Sequence, residues 1–186
     1  PEAPLSDIIF ASEEDFEGWY SLNDSIMGGQ SNASCRATSN GLFLEGKLIE
    51  EGGGFVSCRS PILSPPLNLS AYKGLELNVD GGGKTLKIAL ACKDKWFGLT
   101  EIFQGGLRWI APVHTNPLGM TKVSILFDSL EPSIRAKPVS LPLAFDSSSI
   151  TQIQLLYSKF GHFGQSNPGF LPGPINVNLR SISAIS

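Results

Sequence analysis

The chain has 186 residues, 41% hydrophobic and 17% charged, enough for one domain with a sizeable core (1–186) and cramped for two. A net charge of −3 and a pI near 5.4 argue against nonspecific polyanion binding, whose affinity comes from lysines and arginines displacing counterions. No stretch approaches the roughly 20 apolar residues that span a bilayer, and no charged-then-apolar leader opens the chain.

Ile8-Ile9-Phe10 reads as a short first strand, and Ser12 followed by Glu13, Glu14 and Asp15 as the N-cap and acidic first turn of a brief helix. Asn23-Asp24-Ser25 with Gly28-Gly29 predicts a turn between strands. Its short polar side chains satisfy backbone groups, and the glycines tolerate positive φ or a close backbone neighbour. Leu42 and Leu44 alternate with Phe43 and Glu45, the pattern breaks at Gly52-Gly53-Gly54, and it resumes with Phe55, Val56 and Cys58, which predicts a hairpin. Pro61, Pro65 and Pro66 then interrupt hydrogen-bonded structure, and Leu67, Leu69 and Tyr72 drop from a loop onto the core. Residues 75–79 and 85–92 alternate around Asp80-Gly81-Gly82-Gly83 as a second predicted hairpin, with Leu86, Ile88, Leu90 and Cys92 inward and Lys87, Ala89 and Ala91 outward.

Residues 97–103 and 107–113 form a further predicted strand pair around Gln104-Gly105-Gly106, with Trp96 and Trp109 as core members or binding platform. Residues 121–127 alternate Val123, Ile125 and Phe127 against Lys122, Ser124 and Leu126, and the Pro-rich run 131–142 is expected to cross an end of the fold. Ser147-Ser148-Ser149 leads through a short turn into a strand at 150–157, and 175–185 is the closing strand. Nine or ten short strands, almost no helical periodicity and no repeat unit point to an all-β sandwich.

Charge is uneven: residues 1–51 hold ten acidic and two basic side chains, residues 52–186 seven and twelve, a polarity that a protein partner can read. Cys35, Cys58 and Cys92 are odd in number and sit in apolar or alternating runs, so buried free thiols in a reducing compartment are expected rather than a disulfide frame. Glu13-Glu14-Asp15 and Glu50-Glu51 are sequence neighbours, which on a strand face opposite ways and make no acid/base pair. His114 and His162 have no ligand spacing with the cysteines, so no metal is expected. Gly52–Gly54 and Gly81–Gly83 lack the Lys-Ser or helix that a phosphate cradle needs, and Ser31 and Ser57 lack a nucleophile-elbow frame. The residues predict no enzyme and no cofactor. The start at Pro1 rather than Met leads us to expect a piece of a longer protein, from the cytoplasm or a stroma- or matrix-like compartment and peripheral to a membrane.

The order Trp19, Asn23-Asp24-Ser25, Met27-Gly28-Gly29, Ser31, then Gly54-Phe55-x-Ser57-x-Arg59 resembles the signature of the complex I intermediate-associated protein 30 family. Fainter similarity runs through residues 67–75, Ser129-Leu130-Glu131-Pro132, 150–157 and the closing strand. The resemblance implies a galactose-binding-like jelly-roll β-sandwich that serves as an assembly factor and binds partners rather than turning over substrate. Met120-Thr121, Leu126 and a long run at 159–174 depart from the family pattern. They point to a photosynthetic branch, in which the domain is attached to a dehydrogenase-like protein supporting photosystem synthesis.

Two surfaces are candidates for partner binding. In the first, Asp24 either accepts backbone N–H groups of its own turn, with Arg59 neutralising it, or joins Asn23 and Arg59 in a ligand-binding surface at one end of the sandwich. The second is the run 159–174, where Lys159, Phe160, His162, Phe163 and Phe170 either plug the end of the sandwich or form a recognition loop. Trp19, Met27, Gly28, Gly29, Ser31, Gly54 and Phe55 are expected to be structural, with Phe55 inward on Trp19 and Met27, so that Phe55→Ala costs about 3 to 5 kcal/mol. Three functions follow: an assembly scaffold for a subunit of a respiratory or photosynthetic membrane complex; a carbohydrate-binding module, since the implied fold is shared with sugar binders; or an RNA-associated module using the basic second half.

Overall fold

The computed structural model describes residues 6–93, 106–134, 137–140, 143–161 and 165–186. Its elements in order are β1 (Ser6–Phe10), α1 (Glu13–Phe16), β2 (Tyr20–Ser21), a 3-10 turn at Asp24–Met27, β3 (Asn32–Thr38), β4 (Gly41–Leu48) and β5 (Phe55–Arg59). There follow β6 (Gly74–Asp80), β7 (Thr85–Cys92), β8 (Leu107–His114), β9 (Thr121–Leu126), a 3-10 turn at Phe127–Ser129, β10 (Glu131–Ile134), β11 (Lys137–Pro138), β12 (Ile150–Ser158) and β13 (Gly173–Ile185). The strands form two antiparallel sheets, one ordered β3-β4-β13-β6-β9 with β1 also on β13, the other β11-β10-β8-β7-β12-β5-β2.

Period-2 patterning puts one face of each sheet into a shared core. Leu42 and Leu44 of β4, Leu75, Leu77 and Val79 of β6, and Val177, Leu179 and Ile182 of β13 face Val56 and Cys58 of β5, Leu86, Ile88 and Leu90 of β7, Trp109 of β8, and Ile153, Leu155 and Tyr157 of β12. The short helix is set as its sequence dictates: Ser12 Oγ accepts from Asp15 N–H, and the Asp15 carboxylate accepts from Ser12 N–H at 3.0 Å. The helix drops Phe16 onto Trp19, which also meets Phe10 edge-on, at centroid distances of 5.4 and 5.5 Å.

Several sequence expectations are corrected. Gly52–Gly54 and Gly81–Gly83 do not close hairpins, because β4 and β6 lie in one sheet and β5 and β7 in the other; at both places the chain crosses between layers. The 131–142 run does not cap an end: β10 pairs with β8, and β11 extends that sheet as its edge. Cys35 and Cys58 are not free thiols but a disulfide joining β3 of one sheet to β5 of the other, and Cys92 stays buried outside it. The thiol argument for a reducing compartment falls with that bond. Residues 97–103 and Trp96 lie outside the described residues, while Trp109 is core, tilted against Phe145.

Phe55 does not point inward either. Val56 and Cys58 take the core side of β5, so Phe55, Ser57 and Arg59 share its outer face, and Met27 is 54% exposed. Phe55 is half-buried and stands apart from Trp19 in the core. Phe55→Ala should therefore cost only about 1 kcal/mol, well short of a fully buried aromatic. An unfolding free energy from urea titration lowered by several kcal/mol would show that Phe55 anchors the fold after all.

Candidate functional site

Asp24 opens the 3-10 turn after β2 and is completely buried. Its Oδ1 accepts from Ser31 N–H at 2.9 Å, and its Oδ2 accepts from Ser31 Oγ at 2.6 Å and Gly54 N–H at 2.7 Å. Burial pushes its carboxyl up, but the bonds from Ser31 Oγ and from the Gly54, Ser31 and Phe55 N–H groups outweigh that and hold it below the usual range. The glycines are explained by what surrounds this carboxylate. A Cβ on Gly29 would come within 2.4 Å of Asp24 Cγ, and one on Gly53 within 2.4 Å of Asp24 Cβ. Gly28 ends the turn at φ 89°, and Ser31 Oγ accepts from Ile49 N–H at 2.8 Å. The signature thus binds the start of β3, the end of β4 and the start of β5 around one negative charge.

Such a carboxylate has no surface to present to a partner, and its acceptor sites are filled from the backbone. Asn23 turns its amide to Ala33 O at 2.9 Å. Arg59 does not neutralise Asp24. Among the described residues the ion pair is Arg36–Glu45, exposed on the other sheet. The signature turn is a buttress: Asp24 is enclosed, while Asn23 and Arg59 are half-buried.

In the 159–174 run, the described residues fold back on the sandwich. Lys159 N–H donates to Gly54 O at 2.9 Å, its ammonium lies 5.2 Å from the Phe160 ring centre, and Phe160 bridges to Ser166. Asn167 donates from Nδ2 to Ser158 O at 2.9 Å and to Thr85 O at 3.0 Å, tying the loop to β12 and β7. Phe170 packs on Tyr157 at 5.2 Å and lies partly buried against the core. His162 and Phe163 lie outside the described residues.

The arrangement that sequence reasoning missed lies on the outer face of the seven-stranded sheet. Register places Tyr20 beside Arg59, Arg59 beside Gln154, Gln154 beside Ala89, Leu156 beside Lys87, and Arg108 beside Ser133. An outer sheet face is ordinarily wet, yet here Lys87, Ala89, Ala91, Gln152, Gln154 and Ser133 are all buried. Gln152 organises the row: its Oε1 accepts from Arg108 Nη2 at 3.1 Å, and its Nε2 donates to Ser60 O at 2.9 Å and Tyr20 Oη at 3.2 Å. Gln154 Nε2 donates to Ser57 Oγ at 2.9 Å. Burial, and then the charge of Arg59, lower the pKa of Arg108, while burial brings Lys87 down to about 8. The legible signal was Lys87 followed at alternate positions by small Ala89 and Ala91, with Gln152 and Gln154 alternating with Ile153 and Leu155.

Two antiparallel sheets around a continuous core define a galactose-binding-like jelly-roll sandwich. Its fold matches the family 11 carbohydrate-binding module from Clostridium thermocellum with a TM-score of 0.64 at 16% identity, over 100% of this chain and 98% of that one. A family 30 carbohydrate-binding module matches at 0.52 and 15%, over 97% and 99%. An agarase matches at 0.57 and 8%, over 95% of this chain but 24% of that enzyme. These likenesses define the fold alone. A family model for complex I intermediate-associated protein 30 matches residues 8–178, and the chain belongs to that family. Comparison with curated proteins finds no match. No helix among the described residues is long and apolar enough to cross a membrane.

Proposed function

We propose that the domain is a noncatalytic scaffold that holds a component of a respiratory or photosynthetic membrane complex while that complex is assembled. The observation that carries this reading is that the family signature is spent on structure. Its one buried carboxylate is saturated by Ser31, Gly54 and Phe55, so in this chain these residues build a rigid body for presenting surfaces rather than a reactive group. Membership over residues 8–178 supplies the association with complex I intermediates. The tagged chain, incubated with detergent extract of native respiratory or photosynthetic membranes and recovered under mild salt, should retain a subunit or partly built intermediate of such a complex. Recovery of mature complexes and bulk protein alone would sink the reading.

A second reading rests on the outer face of the seven-stranded sheet. Tyr20, 45% exposed, stands beside the fixed amide of Gln152 and the half-buried Arg59, a ring and donors suited to a sugar. An array of neutral and acidic glycans decides it, and absence of any saturable hit removes it.

A further inference from the structure

We propose that the end of the sandwich from which β3, β5, β7, β9 and β13 start docks on the interface of a lipid bilayer, entered by Ile26, Met27, Leu118, Met120 and Leu171. The inference goes beyond the assembly reading and does not need it. Pairing registers bring the connections to this one end. In one sheet Asn32 lies beside Lys47, Gly173 beside Leu48 and Thr121 beside Val79; in the other Phe55 lies beside Ser158 and Thr85 beside His114. Nine large apolar side chains are exposed among the described residues, and five of them stand on these connections. Ile26, 69% exposed, and Met27 sit between β2 and β3, Leu118, 91% exposed, and Met120 between β8 and β9, and Leu171, 72% exposed, between β12 and β13. Apolar residues scattered singly over a surface are ordinary, whereas their gathering on the loop tips of one end marks a surface with a partner.

Each tip stands on a fixed base. Asp24 anchors the turn that carries Ile26 and Met27. Beneath Leu118, Asn116 N–H donates to Thr121 Oγ1 at 2.8 Å and Thr115 Oγ1 to Lys84 O at 2.7 Å, while Leu171 N–H donates to Tyr157 Oη at 3.1 Å. Charge and spacing then point to what covers them. With Asp24 buried, the described residues of these connections carry Glu50 and Glu51 against Lys84 and Lys159, and Lys47, Asp80 and Lys122 at the strand ends keep the signs nearly balanced. Such an end has little field with which to recruit a strongly charged partner. A specific protein interface engages roughly 20 to 30 residues a side in complementary packing, whereas five apolar tips on three separate turns suit a medium that needs no matching shape. The boundary between headgroups and acyl chains is such a medium. It takes apolar side chains about 5 to 10 Å deep, offers hydrogen-bond partners to turn backbone, and lets Lys84 and Lys159 hold their ammonium groups at phosphate level.

The test is flotation of the complete chain with vesicles of phosphatidylcholine, and separately of phosphatidylcholine mixed with phosphatidylglycerol, at low and high salt. Binding to both is expected, differing less than about twofold between lipids or with salt, because screening acts on charge and not on apolar insertion. Leu118→Asn should lower the partition coefficient about tenfold, the effect of one large apolar side chain that no longer leaves water, and Leu171→Asn should act alike. Ile62→Asn and Leu126→Asn, at exposed apolar positions of the far end, should leave it unchanged. In Leu118→Trp, emission of the introduced indole should shift to the blue on vesicle addition and be quenched by brominated acyl chains. Four outcomes would overturn the proposal: no binding to either vesicle; binding only to the mixed vesicle that high salt abolishes; equal losses from the far-end variants; or a dimer that Leu118→Asn dissociates while vesicles leave the chain free, which would make this end a contact between copies. Leu171→Asn keeps the test decisive if Leu118→Asn does not fold. Lipid is the only probe, so failure of membrane-complex capture bears on none of these readings.

Discussion

Asp24→Ala is expected to destabilise the domain by about 3 to 5 kcal/mol, because it strands the buried N–H groups of Ser31 and Gly54 and leaves Ser31 Oγ only its longer contact with Ile49 O at 3.1 Å. Ser31 N–H, Ser31 Oγ and Gly54 N–H all aim at the one buried carboxylate, and each unsatisfied buried donor costs about 1 to 3 kcal/mol. Against a typical stability of about 5 to 15 kcal/mol, such a loss brings the variant close to unfolding near ambient temperature. Gly53→Ala should act from the other side, since its new methyl would meet Asp24 Cβ within 2.4 Å. The pH dependence follows from the direction of the shift. The folded-state pKa lies below the ordinary aspartate value, so the carboxylate's contribution is fully present above about pH 4 and is lost as pH falls through the folded pKa. Urea unfolding from pH 2 to 6 should show an acid limb in the wild type that is weaker in the Ala variant. Equal midpoints at neutral pH would mean that the turn is not the buttress described.

Much of the fold was readable because alternation reports which face of a strand is buried. Residues 85–92 gave β7 with Leu86, Ile88 and Leu90 inward, and Ser12 with Asp15 gave the capped helix. Alternation does not report partners. Gly52–Gly54 and Gly81–Gly83 look alike whether the next strand pairs with the last or crosses to the opposite layer, so both crossings were misread as hairpins. Phe55 failed for a related reason: Phe55, Val56 and Cys58 are all apolar, so the phase of β5 was open, and it is the pairing with β12 that settles it. Asp24 was singled out correctly as the centre of its motif. That Gly29 and Gly53 are small to clear its carboxylate, rather than to turn the chain, needed three dimensions. The outer face of the seven-stranded sheet was least legible. Arg59, Lys87 and Arg108 are far apart in the chain, and outward positions on a strand are taken by default as solvated.

Breaking the Cys35–Cys58 bond is expected to cost about 3 kcal/mol, the loop-closure value for Cys residues 23 apart in sequence. For a domain of this size that corresponds to a fall in Tm of about 6 to 12 °C. Calorimetry of the wild type with and without dithiothreitol should show it, while the double Cys35→Ala, Cys58→Ala variant melts at the lower temperature in both conditions. Coincident wild-type transitions, together with reaction of both thiols in the untreated unfolded chain, would show that the bond is not formed. The bond and the Asp24 buttress act on the same seam. Asp24 joins Ser31, just before β3, to Gly54, just before β5, and the disulfide joins β3 to β5 four residues further along each path. With either tie intact the two layers remain registered there, so losing both should cost more than the two separate losses combined. A reducing compartment would remove one tie and leave Asp24 to hold the seam, so Asp24→Ala should be most damaging under reducing conditions.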